Sequence, residues 1–425
     1  MNKVKYILGC FLLIVGMQVS GQIRFFEGSL QEALAKAKQE NKKVFVDFYA
    51  DWCGPCKVMA AQVFTLPEVG SYFNEHFVCC QINVEAKEVA DVVKPYKITS
   101  LPTLLFMDDA GKEIRRIQGA VDASLLINEA KVATGEALSF EQMYDKYKKS
   151  KDDMELVQQL LLDAPRFIGG LQEYDRAKWG NRIEVLFPEY MKTKKLENMI
   201  NPADFVIITL YHPQIEKGER IFDFMLQHYD EYADSVGVKD ISSYLVGLNN
   251  AYIVQLCKAG NKDYKKRLER LDGDMQKLYE TFKFGKLSVK EAITYLADAT
   301  YSLYRHDEKS YIENMDKYFL GAEESLGLNE YTRVLEEVHT VYGKSMSKAI
   351  QLKCIDWATI ALKKDMDPMT RVRLLLVTSE CYTGTGKVAE AKQCLNQAFL
   401  KSAEIENKDM MLRMQMMIKN RLQKL

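Results

Sequence analysis

The chain has 425 residues, which is more than one hydrophobic core normally holds, so we expect two or three domains. Hydrophobic residues make up 47% and charged residues 28%, a balance that is typical of a folded globular protein and excludes a largely disordered one. The formal net charge is −1, and the sequence has no block of lysine and arginine interleaved with aromatic residues. Because nucleic acids attract strongly basic proteins, we expect no nucleic-acid partner.

The first residues have the pattern of a secretion signal. Lys3 and Lys5 make a short basic start, and residues 6–19 are an apolar stretch. Val19-Ser20-Gly21 then has side chains that a signal peptidase accepts. A membrane-spanning helix needs about 20 apolar residues, so this stretch is short for a permanent anchor. The sequence therefore predicts a signal peptide at residues 1–21, export of the chain, and no permanent membrane span after cleavage.

A lipoprotein signal is the alternative interpretation of this segment, since Ile7-Leu8-Gly9-Cys10 has the form of a lipobox. Hardly any apolar sequence precedes Cys10 and a long apolar stretch follows it, which favours ordinary cleavage.

Most of the nine cysteines stand singly in apolar patterns, and a disulfide framework belongs to small chains that lack a core. Cys257 and Cys354 fit core positions, and a bridge from Cys381 to Cys394 is disfavoured because the two would lie at unequal heights in a helical hairpin.

Between residues 22 and 138 the pattern alternates between helices and buried strands. An amphipathic helix is expected at residues 29–40, with Ser29 as its N-cap, and a strand at residues 44–49 that is apolar on both faces except at Asp47. The other expected elements are a helix at 57–64, strands at 77–84, 103–107 and 113–118, a turn at 108–111, and a helix at 124–133 that ends at Gly135. The pattern predicts a mixed α/β sheet with helices on both faces.

The pattern changes after residue 138. Apolar residues recur at spacings of three and four, and no proline lies between Pro213 and Pro368, so we predict an all-helical domain at residues 139–425. Residues 368–382 and 387–403 are expected to form a helical hairpin whose packing residues stand where a tetratricopeptide repeat has them. A tetratricopeptide-like solenoid and another kind of helical bundle both remain open.

Cys53 and Cys56, in Trp52-Cys53-Gly54-Pro55-Cys56, stand where a buried strand turns into a helix. The sulfur of Cys53 would face unsatisfied N–H groups and the positive end of the helix dipole, which favour its thiolate. Cys56 lies one turn further on, so we expect an outer, reactive Cys53 and a shielded Cys56 within reach of a disulfide. A zinc site would need further ligands, and the sequence has no second Cys-x-x-Cys and no histidine pair at ligand spacing. We predict a redox pair with no metal and no other cofactor.

Three segments of the sequence resemble the thioredoxin family. Residues 46–57, VDFYADWCGPCK, resemble its active-site signature, and residues 98–103, ITSLPT, resemble its cis-proline loop. Residues 63–69, VFTLPEV, are similar to the periplasmic branch, which includes the soluble reductase domain of thiol:disulfide interchange proteins. The resemblance covers about residues 26–135 and implies a thioredoxin fold, a place in the periplasm or cell envelope of a bacterium, protein disulfides as substrates, and a thiol protein as electron donor.

The resemblance also implies the roles of the site residues. Cys53 would attack a substrate disulfide and Cys56 would resolve the mixed disulfide. Asp47, buried beneath the pair, should have a raised pKa and relay a proton to or from Cys56.

The residues expected to bind the substrate are Trp52, Leu101 and Pro102. Trp52 would shape the rim of the site. Pro102, if its peptide bond is cis, would present the neighbouring backbone as an edge with which an extended substrate segment pairs.

The sequence departs from the family in three places. Gln81 stands where thioredoxins commonly pair the buried aspartate with a lysine, and Ala61 replaces their helix-kinking proline. Ala60 stands where periplasmic reductase domains often have a glutamate. These departures reduce the electrostatic support for Asp47 but leave the reaction itself possible.

Protein-disulfide reduction in the service of cell redox homeostasis is the activity that we expect. The Gly-Pro dipeptide between the cysteines resembles that of thioredoxin, which is a reductant at about −270 mV. A disulfide oxidase or isomerase is one alternative, although such enzymes usually have other residues between the cysteines. A non-catalytic binding module that recruits partners through the helical domain is the other, although such modules tend to lose a cysteine.

Overall fold

The computed structural model describes residues 21–86, 89–171, 173–215 and 219–425. The predicted signal peptide, apart from Gly21, and the alternative lipobox lie outside these residues. The chain divides into a compact unit that ends at Leu186 and a second one, Phe187–Leu425. A compact unit is not by itself an independently folding domain, so the predicted boundary between residues 138 and 139 stays a prediction.

A four-stranded sheet forms the centre of the first unit. Its strands are Lys43–Tyr49 (β1), Phe77–Asn83 (β2), Thr103–Met107 (β3) and Glu113–Gln118 (β4). The order is β2-β1-β3-β4, with β1 parallel to β2 and antiparallel to β3, and β3 antiparallel to β4. Each strand lies within one residue of its predicted position, and the mixed sheet of a thioredoxin fold is confirmed. The hydrogen bond from the Phe26 N–H to the Cys79 carbonyl, 2.7 Å long, ties the N-terminal segment to the outer edge of β2.

Helices also belong to the first unit. They are Leu30–Glu40 (α1), Gly54–Val58 (α2), Pro67–His76 (α3), Ala90–Val93 (α4), Ala123–Thr134 (α5), Phe140–Lys149 (α6), Met154–Gly169 (α7) and Glu173–Glu184 (α8). Of these, α1 packs on one face of the sheet, and α3 and α5 pack on the other. The predicted cap of α1 is confirmed, because the Ser29 hydroxyl accepts from the Glu32 N–H while the Glu32 carboxylate accepts from the Ser29 N–H. The sequence did not predict α3 and α4.

The helix predicted at residues 57–64 differs from the one observed. It begins earlier, at Gly54, and after Val58 it continues as a π-helical turn, Met59–Val63. The N–H of Phe64 donates to the carbonyl of Met59, five residues back, at 3.0 Å. This turn thus contains one residue more than an α-helical turn. Ala61, which stands where thioredoxins have a kinking proline, lies within it.

The strand β1 is apolar almost throughout because both of its faces are buried. Phe45 faces a core that includes Met59 and Phe64, and Val46 faces a separate core that includes α1 residues. Residues alternate between the faces of a strand, so Asp47 points to the same side as Phe45.

The adjacent pair Cys79 and Cys80 on β2 divides between the same two cores. Both residues are buried free thiols, as the sequence predicted.

Three helices that follow the thioredoxin-like segment, α6 to α8, belong to the first unit. Arg115 of β4 forms ion pairs with Glu129 of α5, at 2.7 Å, and with Glu141 of α6, at 4.0 Å. The first ion pair connects α5 to the sheet, and the second connects α6 to it.

The second unit is helical, which confirms the predicted change from an α/β pattern to an all-helical one. Its helices are Leu186–Thr193 (α9, which starts at the last residue of the first unit), Pro202–Tyr211 (α10), Arg220–Gln227 (α11), Tyr229–Val236 (α12), Val238–Ala259 (α13), Tyr264–Glu269 (α14), Val289–Leu303 (α15), Glu308–Ala322 (α16), Leu328–Tyr342 (α17), Lys348–Ala361 (α18), Pro368–Gly384 (α19), Val388–Ser402 (α20) and Lys408–Leu422 (α21). The predicted hairpin is formed by α19 and α20, with a shorter turn than expected. Over the described ranges, no helix is long and apolar enough to span a bilayer.

Candidate redox site

Cys53 occupies the N-cap of α2, at the end of the segment that leads from the central strand. Its sulfur accepts a hydrogen bond from the Cys56 N–H at 3.2 Å, and its N–H donates to the Ala50 carbonyl at 3.1 Å. Pro55 lies in the first turn of the helix, where a missing N–H costs nothing. The structure therefore places the sulfur at the positive end of the helix, where the sequence predicted it.

Cys53 and Cys56 are joined as a disulfide with a Cα–Cα distance of 5.3 Å. Cys53 is 2% exposed and Cys56 is 5% exposed, so the two are buried alike in this oxidised form. The expectation of an outer Cys53 and a shielded Cys56 is therefore wrong for the disulfide state. The reason is the packing around the pair, which lies in one apolar cluster with Ala50 and Leu101.

Leu101 and Pro102 are joined by a cis peptide bond, as the resemblance to thioredoxins implied. Leu101 packs against the cluster that contains both cysteines, so this loop is brought to the redox pair. The carbonyl of Pro102 accepts from the Gly119 N–H at 2.8 Å. Gly119 has a φ of +88°, a conformation that glycine adopts without the strain that a side chain would add.

Trp52 is strongly exposed, with 70% of its surface accessible beside a buried disulfide. Its indole N–H donates to the carboxylate of Glu85 at 3.0 Å. Glu85 follows β2, and its own N–H donates to the Asn83 side chain at 3.0 Å. This contact was not predicted, because Glu85 is distant from the motif along the chain and has no distinctive spacing.

Asp47 lies on β1, the strand that leads into the redox motif, and is 2% exposed. Gln81, its register partner on β2, donates its side-chain amide to Asp47 Oδ2 at 2.9 Å. Among the described residues, Asp47 Oδ1 has no hydrogen-bond partner. Burial raises the pKa of Asp47 to about 6, and the hydrogen bond from Gln81 partly opposes the increase. The carboxylate is thus poised near neutral pH, as predicted, and Gln81 takes the position beside it that a lysine has in many thioredoxins.

The neighbouring cysteines of β2 are unsuited to thiolate chemistry. Burial raises the pKa of Cys79 well above its ordinary value. Burial also raises the pKa of Cys80 to about 12, and the negative charge of Asp47 adds to the increase. Both thiols therefore stay protonated at neutral pH, in keeping with a packing role.

Comparison with known proteins identifies the first domain. A family model described as a thioredoxin-like domain matches residues 30–131. Thioredoxin-2 from Saccharomyces cerevisiae is 35% identical over 85 residues, which are 20% of this chain and 75% of that protein. The thiol:disulfide interchange protein DsbD from Salmonella typhi is 40% identical over 99 residues, which are 22% of this chain and 17% of that protein.

Among solved structures, a putative disulphide-isomerase from Bacteroides thetaiotaomicron is 39% identical. The match covers 27% of this chain and 95% of that one, with a TM-score of 0.25. The chain spans 17% of the length of DsbD and 40% of the length of Thioredoxin-T from Drosophila melanogaster, so the similarity concerns one domain.

We expect Asp47→Asn to stabilise the protein in a pH-dependent way. The folded-state pKa of Asp47 is about 6 against an ordinary value of 3.8, so the wild type loses stability as the pH rises from about 4 through 6. A shift of about two units corresponds to roughly 3 kcal/mol, and asparagine does not titrate. The free energy of unfolding of Asp47→Asn should exceed that of the wild type by an amount that grows to roughly this value by pH 7.

Urea denaturation of both proteins between pH 4 and 8 measures this difference. Asp51→Asn is the matched control, because Asp51 is exposed and its substitution removes a solvated carboxylate. A difference between Asp47→Asn and the wild type that does not vary with pH would contradict the account of Asp47.

Proposed function

We propose that this chain, which belongs to the thioredoxin family, is an exported protein-disulfide reductase that uses the Cys53/Cys56 dithiol. One observation carries the proposal: the Cys53 sulfur lies at the N-terminus of α2, bonded to Cys56 and accepting the Cys56 N–H. A sulfur in that position is stabilised as a thiolate by the helix dipole and by the N–H groups of the first turn. The thiolate is the species that attacks disulfides.

The reaction proceeds in two exchange steps. The Cys53 thiolate attacks one sulfur of a substrate disulfide, the substrate S–S bond breaks, and the other substrate sulfur leaves and takes up a proton. The Cys56 thiolate then attacks the Cys53 sulfur of the mixed disulfide and expels the second substrate thiol. Two electrons have passed to the substrate, and the enzyme is left with the Cys53–Cys56 disulfide. A donor thiol protein returns it to the dithiol by the reverse exchanges.

Asp47 acts in the second step, as the base that accepts the proton of Cys56. Its pKa of about 6 lies close to neutral pH, which suits a group that must both accept and return a proton. The Gln81 amide occupies Oδ2, and Oδ1 has no partner among the described residues, so Oδ1 is the atom that receives the proton. The proton then returns to Cys56 when the donor reduces the enzyme.

Trp52, Leu101 and Pro102 position the substrate. Trp52 offers a large exposed apolar surface, held by Glu85, at the rim of the buried pair. Leu101 packs on the cysteine cluster, so the backbone of the loop that contains it and Pro102 lies near the redox pair. An extended substrate segment would pair with that backbone and so bring its disulfide to Cys53.

Export to the periplasm or cell envelope rests on the basic and apolar start of the sequence. The relatives named as thiol:disulfide interchange proteins support exchange with a thiol protein as the donor. The domain division that we propose is a signal peptide at residues 1–21, the redox domain at 22–138 and a helical domain at 139–425.

The two cysteine substitutions should separate the exchange steps. In the chain from residue 22, Cys53→Ser should reduce insulin no faster than the dithiol donor alone, since the attacking sulfur is gone. Cys56→Ser should still attack, and it should accumulate mixed disulfides that non-reducing electrophoresis detects. Cys394→Ser, which removes a partly exposed thiol of α20, is the control and should match the wild type. Retention of most of the activity in Cys53→Ser would overturn the assignment.

The reduction potential distinguishes a reductase from a disulfide oxidase or isomerase. With Gly54 and Pro55 between the cysteines, we expect a value closer to thioredoxin's, about −270 mV, than to that of a strong periplasmic oxidant, about −120 mV. Equilibration of the Cys53–Cys56 pair with glutathione buffers, quenched by alkylation, measures it. A potential above about −180 mV, the range of protein disulfide isomerase, would favour an isomerase or oxidase instead.

A further inference from the structure

Two buried thiols of the second unit lie on consecutive helices. Cys354 belongs to α18 and Cys381 to α19, and both are part of the same apolar core. They are 1% and 2% exposed. The sequence predicted core packing for Cys354 and considered Cys381 only with Cys394, because the register between α18 and α19 is not visible in the sequence.

The register of the two helices brings the cysteines together. Gly384 of α19 packs so closely on α18 that a Cβ there would lie 2.3 Å from the Gln351 side-chain amide. Cys381 is three residues before Gly384, and Cys354 is three residues after Gln351. Residues three apart lie on the same side of a helix. Because α18 and α19 run antiparallel, the residue three before Gly384 lies opposite the residue three after Gln351, so Cys381 faces Cys354.

The electrostatics of the two thiols agree with this facing position. The side chain of Cys381 raises the pKa of Cys354, and the side chain of Cys354 lowers the pKa of Cys381. The structure has both as free thiols. The close approach of the helices at Gly384 and the facing positions of the two cysteines in one core favour a disulfide between α18 and α19.

One of the two cysteines lies at a cleft. A cleft of about 540 Å³ within the second unit is lined by Cys381, Gln351 and Gly384, and by Arg421 and Lys424 near the C-terminus. Cys354 does not line the cleft. Cys381 is therefore the residue that a disulfide reagent meets first.

We propose that Cys354 and Cys381 form a second redox site, a reversible disulfide that joins α18 to α19. The oxidant is a low-molecular-weight disulfide. The Cys381 thiolate attacks one of its sulfurs and displaces a thiol, which leaves a mixed disulfide on Cys381. Cys354 then loses its proton and attacks the Cys381 sulfur, which expels the second thiol. Two protons and two electrons pass from the pair to the oxidant, so that one disulfide is formed and one is reduced.

The new bond would stiffen the C-terminal helices. It would connect α18 to the α19–α20 hairpin and restrict the unfolded chain between residues 354 and 381. We therefore expect the thermal midpoint of the oxidised chain to exceed that of the reduced chain by several degrees.

The test uses the chain from residue 22 with Cys53→Ser and Cys56→Ser, so that the first redox site cannot contribute. The folded protein is incubated with glutathione disulfide or with dithiothreitol, quenched with N-ethylmaleimide in denaturant and digested with trypsin. Cys354, Cys381 and Cys394 fall in the separate tryptic peptides 354–363, 374–387 and 393–401. Oxidation should join the first two peptides, and dithiothreitol should return both to the alkylated form.

Two controls are part of the experiment. Cys257, a single buried thiol, should be alkylated under both conditions. Cys381→Ser should leave Cys354 alkylated after oxidation, with no new cross-link. Alkylation of both Cys354 and Cys381 after oxidation, or a cross-link from Cys381 to Cys394, would overturn the proposal, and neither result depends on whether the Cys381→Ser variant folds.

Discussion

Burying the carboxylate of Asp47 in the central strand β1 costs free energy that an apolar residue at that position would not cost. The surrounding structure compensates for part of this cost with one hydrogen bond, from Gln81 on the neighbouring strand. What remains appears as a pKa raised to about 6. Since β1 leads directly into the redox motif, the carboxylate that is costly to bury belongs to the strand that precedes the disulfide, and we propose that it is the base of the second exchange step.

The N-terminus of α2 supplies the complementary electrostatics. There the helix dipole and the Cys56 N–H favour negative charge on the Cys53 sulfur, whereas the burial of Asp47 disfavours negative charge on the carboxylate. In the mechanism that we propose, Cys53 loses its proton through the helix and Cys56 loses its proton to Asp47. In the disulfide form Leu101 packs against the cysteine cluster, whereas Trp52 is exposed.

The sequence predicted the elements whose physical cause is local, and it missed those set by tertiary packing. Burial on both faces makes β1 apolar almost throughout, and the cap of α1 is visible as Ser29 and Glu32, so both were placed within one residue. The π-helical turn after α2 depends on how Met59 and Phe64 pack, which no spacing reveals. Long-range arrangements, such as the hydrogen bond of Trp52 with Glu85 or the facing positions of Cys354 and Cys381, depend on how the elements pack and were missed for the same reason.

The role of Asp47 in resolving the mixed disulfide is tested most directly by following both exchange steps in one stopped-flow trace. Reduced chain is mixed with a chromogenic aryl disulfide, so that attack by Cys53 releases one coloured thiol and resolution by Cys56 releases a second. In Asp47→Asn the first phase should keep its rate, since the helix activates Cys53, and the second should slow about 100-fold for the loss of a general base. A second phase that is as fast in Asp47→Asn as in the wild type would contradict the account.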